Sequence, residues 1–305
     1  MSPTRWIIEE GRIDHAGGDL FGGHSSTTTN LVIDVREGPT YRMTTNNHTP
    51  MGPLELTGGT FHADNTGNNA GKTLRQWGQT SFQGGVTAHA CESPSWVKLS
   101  DASWTHMAHY MVTNVPFTVD ANAVLVIDGL LTNGYKSAYV PNVLVKKGAG
   151  ELVLLKQGGW TGGTILEEGT ITIADSKALW TGDVTLAGDV TLNVLPGVTF
   201  VCPPLKGTGT LTKMGAGVAT FPSKAAGVTV DVQESGTVGT PLADGVLTLN
   251  GSVATIDVPS GQTQEVSSIV EARSGYGIVS DIVKTGDGTL VLPTGSASKY
   301  GRLIV

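Results

Sequence analysis

Apolar and polar residues alternate in short bursts along most of this chain. "GTITIA" at 169–174, "GDVTLAGDVTLNV" at 182–194, "GVTFVC" at 197–202 and "GVLTLNG" at 245–251 set Val, Leu or Ile among Thr, Asp and Asn. A period of two belongs to strands, whose successive side chains point to opposite faces. Gly, Asp, Asn or Pro interrupts the pattern at intervals of roughly ten residues, as in short strands joined by tight turns. No segment sustains a helical period of 3.6. The pattern predicts an all-β protein.

Longer phrases also recur. "KKGAGELVLL" starts at Lys146, "KMGAGVATF" at Lys213 and "KTGDGTLVL" at Lys284, at spacings of 67 (213 − 146) and 71 (284 − 213). Hairpin turns such as Asn-Gly at 133–134 and Asp-Gly at 244–245 would suit a sandwich, but a sandwich offers no reason for whole phrases to return. A single parallel β-solenoid does. Each spacing would be about three coils of roughly 22–24 residues, and the phrases would lie one above another. At about 22 residues per coil and the ~4.8 Å strand spacing, the chain would make about fourteen coils in a rod of roughly 65 Å. Residues 1–140 read as coils with longer His- and Trp-rich loops, continuous with regular repeats over 141–305.

A second phrase asks how the coils begin and stop. "WIIEEGRI" at 6–13 returns as "TILEEGTI" at 164–171, and "YGRLIV" at 300–305 resembles the opening of a third copy. Ile8 and Val305 both correspond to Leu166, so the chain would halt in the coil position where it starts. Either the sequence is a piece of a longer array, or copies stack head to tail into a fibre through open solenoid ends.

Composition agrees with this picture. Gly, at 42 of 305 residues, is about twice its usual share of roughly 7%, and charged residues are only 15%. The net charge of −7 comes without a basic block, which argues against nucleic acid or an anionic membrane as partner. No window approaches eighteen apolar residues, and the first thirty residues lack a secretory signal pattern. Cys91 and Cys202 would be about five coils apart, far beyond the ~7 Å reach of a disulfide, so two free thiols are expected.

The stretch "LVKKGAGELVLLKQGGWTGGTILEEGTITI" at 144–173 closely resembles the autotransporter-associated β-strand repeat of large secreted bacterial surface proteins. Lys146, Gly148, Gly150, Trp160, Thr161, Gly162, Gly163, Thr164 and Gly169 match its pattern in order. The second unit keeps Lys213, Gly215 and Gly217 but loses the Thr-Gly-Gly-Thr. The third keeps Lys284, Gly286 and Gly288, with "SASKYGRLIV" following. Upstream, "LELTGGTFHA", "WGQTSFQGGVTA" and "PFTVDANAVLVIDGLL" are similar to the coils that precede such repeats. The resemblance implies a right-handed parallel β-helix, exported and displayed on, or shed from, a bacterial surface. Its motif contains no catalytic residues, so none carry over.

Candidate chemistry is concentrated before residue 110, where all seven histidines lie. His106 and His109 are three apart, but no Asp, Glu or Cys at ligand spacing joins them, and no metal or cofactor is expected. The pairs Glu9–Glu10 and Glu167–Glu168 precede Gly at corners, where solvated polar residues are ordinary. Asp14-His15, Arg12 and Asp101 would form an acid–base set only if they met across coils. The Gly-x-Gly triplets precede strands and read as turns, not phosphate loops. Trp77, Trp96, Trp104 and Trp160 would stack on sugars if exposed, or cap the interior if not. The leading expectation is a non-enzymatic, extracellular structural or adhesive solenoid, with itself or surface glycans as partner. The alternative is a polysaccharide-binding or polysaccharide-degrading β-helix. Two or three convergent carboxylates beside a Lys or Arg would favour the alternative.

Overall fold

A computed structural model describes residues 4–15, 31–44, 48–64, 79–82, 84–99, 109–111, 114–133, 141–233, 236–242, 245–249, 253–271, 280–293 and 301–305. Among them there is no helix, and the strands pair in parallel throughout. The fold is a parallel β-solenoid. It divides into two compact units, Met1–Ile165 with Ala178–Thr181, and Leu166–Lys177 with Gly182–Val305.

In the N-terminal unit, the first sheet stacks β1 (Thr4–Ile8), β3 (Leu31–Val35), β6 (Leu54–Leu56), β9 (Val86–Ala88), β12 (Val115–Val119) and β15 (Leu144–Lys147). The second stacks β2 (Arg12–His15), β4 (Thr40–Met43), β7 (Thr60–Ala63), β10 (Ser95–Leu99), β13 (Val124–Asp128) and β16 (Glu151–Leu154). A third holds β5 (His48–Met51), β8 (Gln79–Phe82), β11 (His109–Met111) and β14 (Leu131–Asn133). Chain order cycles through the three, so each cycle is one coil. The register builds a core column Ile33–Leu54–Val86–Phe117 on the first sheet. On the second, Tyr41 and Phe61 stack with centroids 6.0 Å apart, and both are fully buried.

Coil length is not the near-constant quantity expected from the motif spacing. The coil from Ile33 to its register partner Leu54 is much shorter than the next, from Leu54 to Val86. In the C-terminal unit the coil from Val232 to Leu249 is shorter than either. Backbone pairing fixes only the strands, so connections vary freely in length.

The second sheet is twelve-stranded, and its strands in the C-terminal unit are β18 (Gly169–Ile173), β20 (Val190–Val194), β23 (Gly209–Met214), β25 (Val228–Val232), β27 (Val246–Leu249) and β30 (Ser268–Glu271). Next in each coil comes a sheet of β21 (Thr199–Val201), β24 (Val218–Phe221), β26 (Thr237–Leu242), β28 (Val253–Asp257), β31 (Asp281–Thr285) and β33 (Leu303–Ile304). Shorter pairs are β19 (Val184–Leu186) with β22 (Leu205–Gly207), and β29 (Thr263–Glu265) with β32 (Thr289–Val291).

The glycine-marked phrases are not one above another, which corrects the sequence expectation. Lys213 lies at the end of β23 and its phrase turns into β24, on the next sheet; Lys284 lies at the end of β31, on that next sheet, and turns into β32. The register explains the offset. Lys213 pairs with Val232, Val232 with Leu249 and Leu249 with Glu271, so three full coils end at Glu271, short of Lys284. The stretch from Glu271 to Lys284 takes the chain on to the neighbouring sheet. The following segment moves likewise: Gly169 leads into β18 of the long sheet, whereas Gly236 leads into β26 of the next. The terminal "RLIV" strand, β33, also lies on that next sheet and pairs with β31, whereas Ile8 ends β1 on the first sheet, so Val305 does not fall in the coil position of Ile8 as the matched phrases implied. The repeat is a corner-forming unit whose length exceeds three coils by one side. The parallel registers establish the solenoid without any alignment of the motifs.

Both cysteines are free, as expected. Cys202 is buried, and burial pushes its thiol far above the ordinary range, whereas Cys91 is partly accessible. Brief alkylation of the native protein followed by peptide mass spectrometry should therefore label Cys91 and spare Cys202. Equal labelling would contradict this packing.

Candidate functional site

The most regular site is the Lys-x-Gly-x-Gly corner itself. Each lysine occupies a core column. Lys146 pairs with Phe117, Lys213 lies between Leu192 and Val232, and Lys284 pairs with Ile256. Lys146 and Lys213 are 1% and 0% exposed. A lysine survives there because its stem is apolar and its head can reach the corner. Lys146 Nζ donates to the carbonyls of Lys147 and Gly148 at 3.0 and 2.5 Å, and Lys213 Nζ to those of Met214 and Gly215 at 2.5 and 2.8 Å. Lys284 Nζ does the same to Thr285 and Gly286.

The two glycines seat that corner on the coil before it. The second donates its N–H to a valine carbonyl in all three copies: Gly150 to Val119 at 2.9 Å, Gly217 to Val194 at 3.0 Å and Gly288 to Val258 at 2.9 Å. A Cβ at any of these three would lie 2.2 Å from a backbone oxygen. Gly162 makes a similar approach to Asn142, while Gly163 and Gly169 supply positive-φ turns. These residues have a constructional task, to make corners nest.

Chemistry that reaches solvent lies on the N-terminal unit. On its first sheet Arg5 bonds Asp34 at 3.0 Å and Glu55 at 2.6 Å, and Arg36 bonds Asp34 at 2.9 Å. His89 Nδ1 meets Asp120 at 2.9 Å while its Nε2 is 3.5 Å from Glu55. On the second sheet Arg12 holds Asp14 at 2.5 and 2.6 Å, and Arg42 grips Asp64. Two to three carboxylates do converge beside arginines, the feature set out as favouring an enzyme. The arginines, however, bind the carboxylates directly. Arg12 hydrogen bonding holds the Asp14 carboxyl below its usual range, and in the other unit Arg302 does the same to Asp281. A general acid needs the opposite displacement.

The other sequence candidates separate. Trp160 is 1% exposed and its Nε1 donates to Thr164 Oγ1 at 3.1 Å, so the ring caps the interior and presents no face to a sugar. Trp96 stands half-exposed on the outer surface of β10. Trp77, Trp104, His106 and Asp101 lie outside the described residues, as does the side chain of His109. Asp14 meets Arg12 and not His15, whose Nδ1 is 2.7 Å from Tyr41 Oη. Among the described residues no group of three or more His, Cys, Asp or Glu is placed to hold a metal ion.

The network of Asp34, Glu55, His89 and Asp120 was not foreseeable from the sequence. Its members are unevenly spaced along the chain, and no fixed period links them.

Compared with family models, curated proteins and solved structures, the chain finds no match. The likeness drawn at residues 144–173 therefore rests on those residues alone.

Proposed function

We propose that this chain is a non-enzymatic β-solenoid module of an exported bacterial surface protein, acting as a rigid spacer or display scaffold. The observation that carries this reading is the identical three-part corner, lysine cap, positive-φ glycine and contact glycine, built three times at different positions of the coil. Its hydrogen bonds and close approaches serve coil stacking. The pairs of Arg5 with Asp34 and Glu55, and of Arg42 with Asp64, support the same reading, since they tie successive coils together. The resemblance at 144–173 supports the surface setting. Apolar residues on the outermost strands, Trp6, Ile7, Leu303 and Ile304, are 42–48% exposed. That suits continuation by further coils, of this chain's own protein or of a second copy.

The test is direct. Incubating the purified chain with pectate, alginate, chitin and xylan should produce no new reducing ends and no absorbance from unsaturated sugar products. Release of either would replace the scaffold by the polysaccharide-degrading reading. Size-exclusion chromatography with negative-stain microscopy separates the two forms of continuation: concentration-dependent filaments mean self-stacking, and monodisperse monomers remove it.

A further inference from the structure

The outer surface of the second sheet in the N-terminal unit carries two adjacent columns of side chains. One runs Asp14, Arg42, His62, Lys98, Asp128, one residue per strand from β2 to β13. The other, two positions earlier on each strand, runs Arg12, Thr40, Thr60 and Trp96 and ends at Val126, which is buried. Arg12 and Arg42 are engaged with Asp14 and Asp64. Lys98 is different. Its exposed ammonium rests 5.0 Å from the centroid of the half-exposed Trp96 ring, and it makes no ion pair among the described residues.

We infer that Trp96 and Lys98 form a lateral binding site for an acidic polysaccharide, with a uronate-type ring stacked on the indole and its carboxylate on the ammonium. A solvent-exposed cation–π contact is worth only about 0.5–1 kcal/mol. A charge-assisted hydrogen bond to a carboxylate is stronger, so the ammonium leaves the ring when such a ligand arrives. Indole offers the broad, rigid apolar face that a pyranose C–H face covers.

Geometry extends the site along the solenoid. Rungs of one column are about 4.8 Å apart, close to the length of one sugar residue in a chain, so successive sugars meet successive strands. On the β7 side the next rung offers Thr60 and His62, then Arg42 beyond. Burial lowers the His62 pKa, and the cations Arg42, Lys98 and Arg12 lower it further against the opposing pull of Asp64. At neutral pH its imidazole is therefore uncharged and suited to hydroxyls. On the β13 side Asp128 repels a carboxylate and accepts from a hydroxyl instead. The acidic chain accordingly lies over β10 and β7, with a carboxylate on Lys98 and hydroxyls toward Thr60 and His62.

Titration calorimetry of the full chain with hexagalacturonate and with its methyl ester tests this. The acid should bind about tenfold tighter than the ester, a difference of about 1.4 kcal/mol. Lys98→Gln should remove that difference and leave ester binding intact, while Trp96→Ala should abolish binding of both. Trp96→Phe keeps an aromatic face and guards against misfolding, so it should retain part of the affinity with unchanged circular dichroism. Equal binding of acid and ester, acid binding unchanged in Lys98→Gln, or no heat from either sugar at millimolar concentration would each overturn the inference.

Discussion

Replacing Lys213 by alanine is expected to destabilise the C-terminal unit by about 3–5 kcal/mol in urea unfolding. The side chain is wholly buried in a column between Leu192 and Val232, so truncation removes about three stem methylenes, worth roughly 0.8 kcal/mol each. It also strands the carbonyls of Met214 and Gly215, which accept from Nζ; an unsatisfied buried acceptor costs about 1–3 kcal/mol. Lys213→Met keeps most of the stem and loses only the donors, so about 1–3 kcal/mol should separate it from wild type. The exposed Lys206→Ala is the control, with an effect within about 0.5 kcal/mol. A methionine variant as stable as wild type would mean that the cap contributes nothing.

The same lysine gives a pH signature. Burial pushes its amine from the ordinary 10.5 down to about 7. A neutral amine still has two N–H groups for the two carbonyls, so the corner survives deprotonation. Between about 7 and 10.5 the unfolded chain binds the proton and the folded chain does not. Stability must therefore rise with pH across that window and level off at either side. Each tenfold displacement of the ionisation is worth about 1.4 kcal/mol. Because both carbonyls also favour the ammonium, about 2–4 kcal/mol of rise is expected. The comparison is wild type minus Lys213→Met at pH 7 and pH 10, in which the other titrating groups cancel. A flat difference would show that the ammonium stays charged throughout.

How much of this could be read from sequence depends on which contacts are local. Period-two alternation in "GDVTLAGDVTLNV" and the recurrent Gly-x-Gly spelled out strands and corners, because both are set within a few positions of the chain. Placement around the coil was not legible. The nearly equal motif spacings suggested vertical alignment, and only the registers reveal three coils plus one side. The inward lysines were hidden for a related reason: a charged residue in a strand reads as outward until its neighbours in the column are known. The outer ladder is the hardest case. Asp14, Arg42, His62, Lys98 and Asp128 stand in register although they are unevenly spaced along the sequence. Variable connections erase any period by which such a column could be found. Trp96 and Trp160 looked alike in sequence, and only burial separates a surface ring from a core cap.

Alanine at three glycines of one corner region should separate the two reasons for glycine there. Gly197 has φ +81° with open space around its missing Cβ, so Gly197→Ala bears only the left-handed backbone, about 1–2 kcal/mol. Gly217 is not in the positive-φ region, but its Cβ would lie 2.2 Å from Leu195 O, the carbonyl of a coil already fixed by the Gly217 N–H bond to Val194. Backbone cannot step aside as a side chain can, so the coils must separate locally, at about 3 kcal/mol or more. Gly215 combines both, with φ +78° and Val194 O at 2.4 Å. The expected order of destabilisation in urea is Gly215→Ala, then Gly217→Ala, then Gly197→Ala. Alanine at Gly217 costing no more than at Gly197 would mean the corners are not packed coil on coil. The Lys-x-Gly-x-Gly phrase would then lose the physical reason offered for its three appearances.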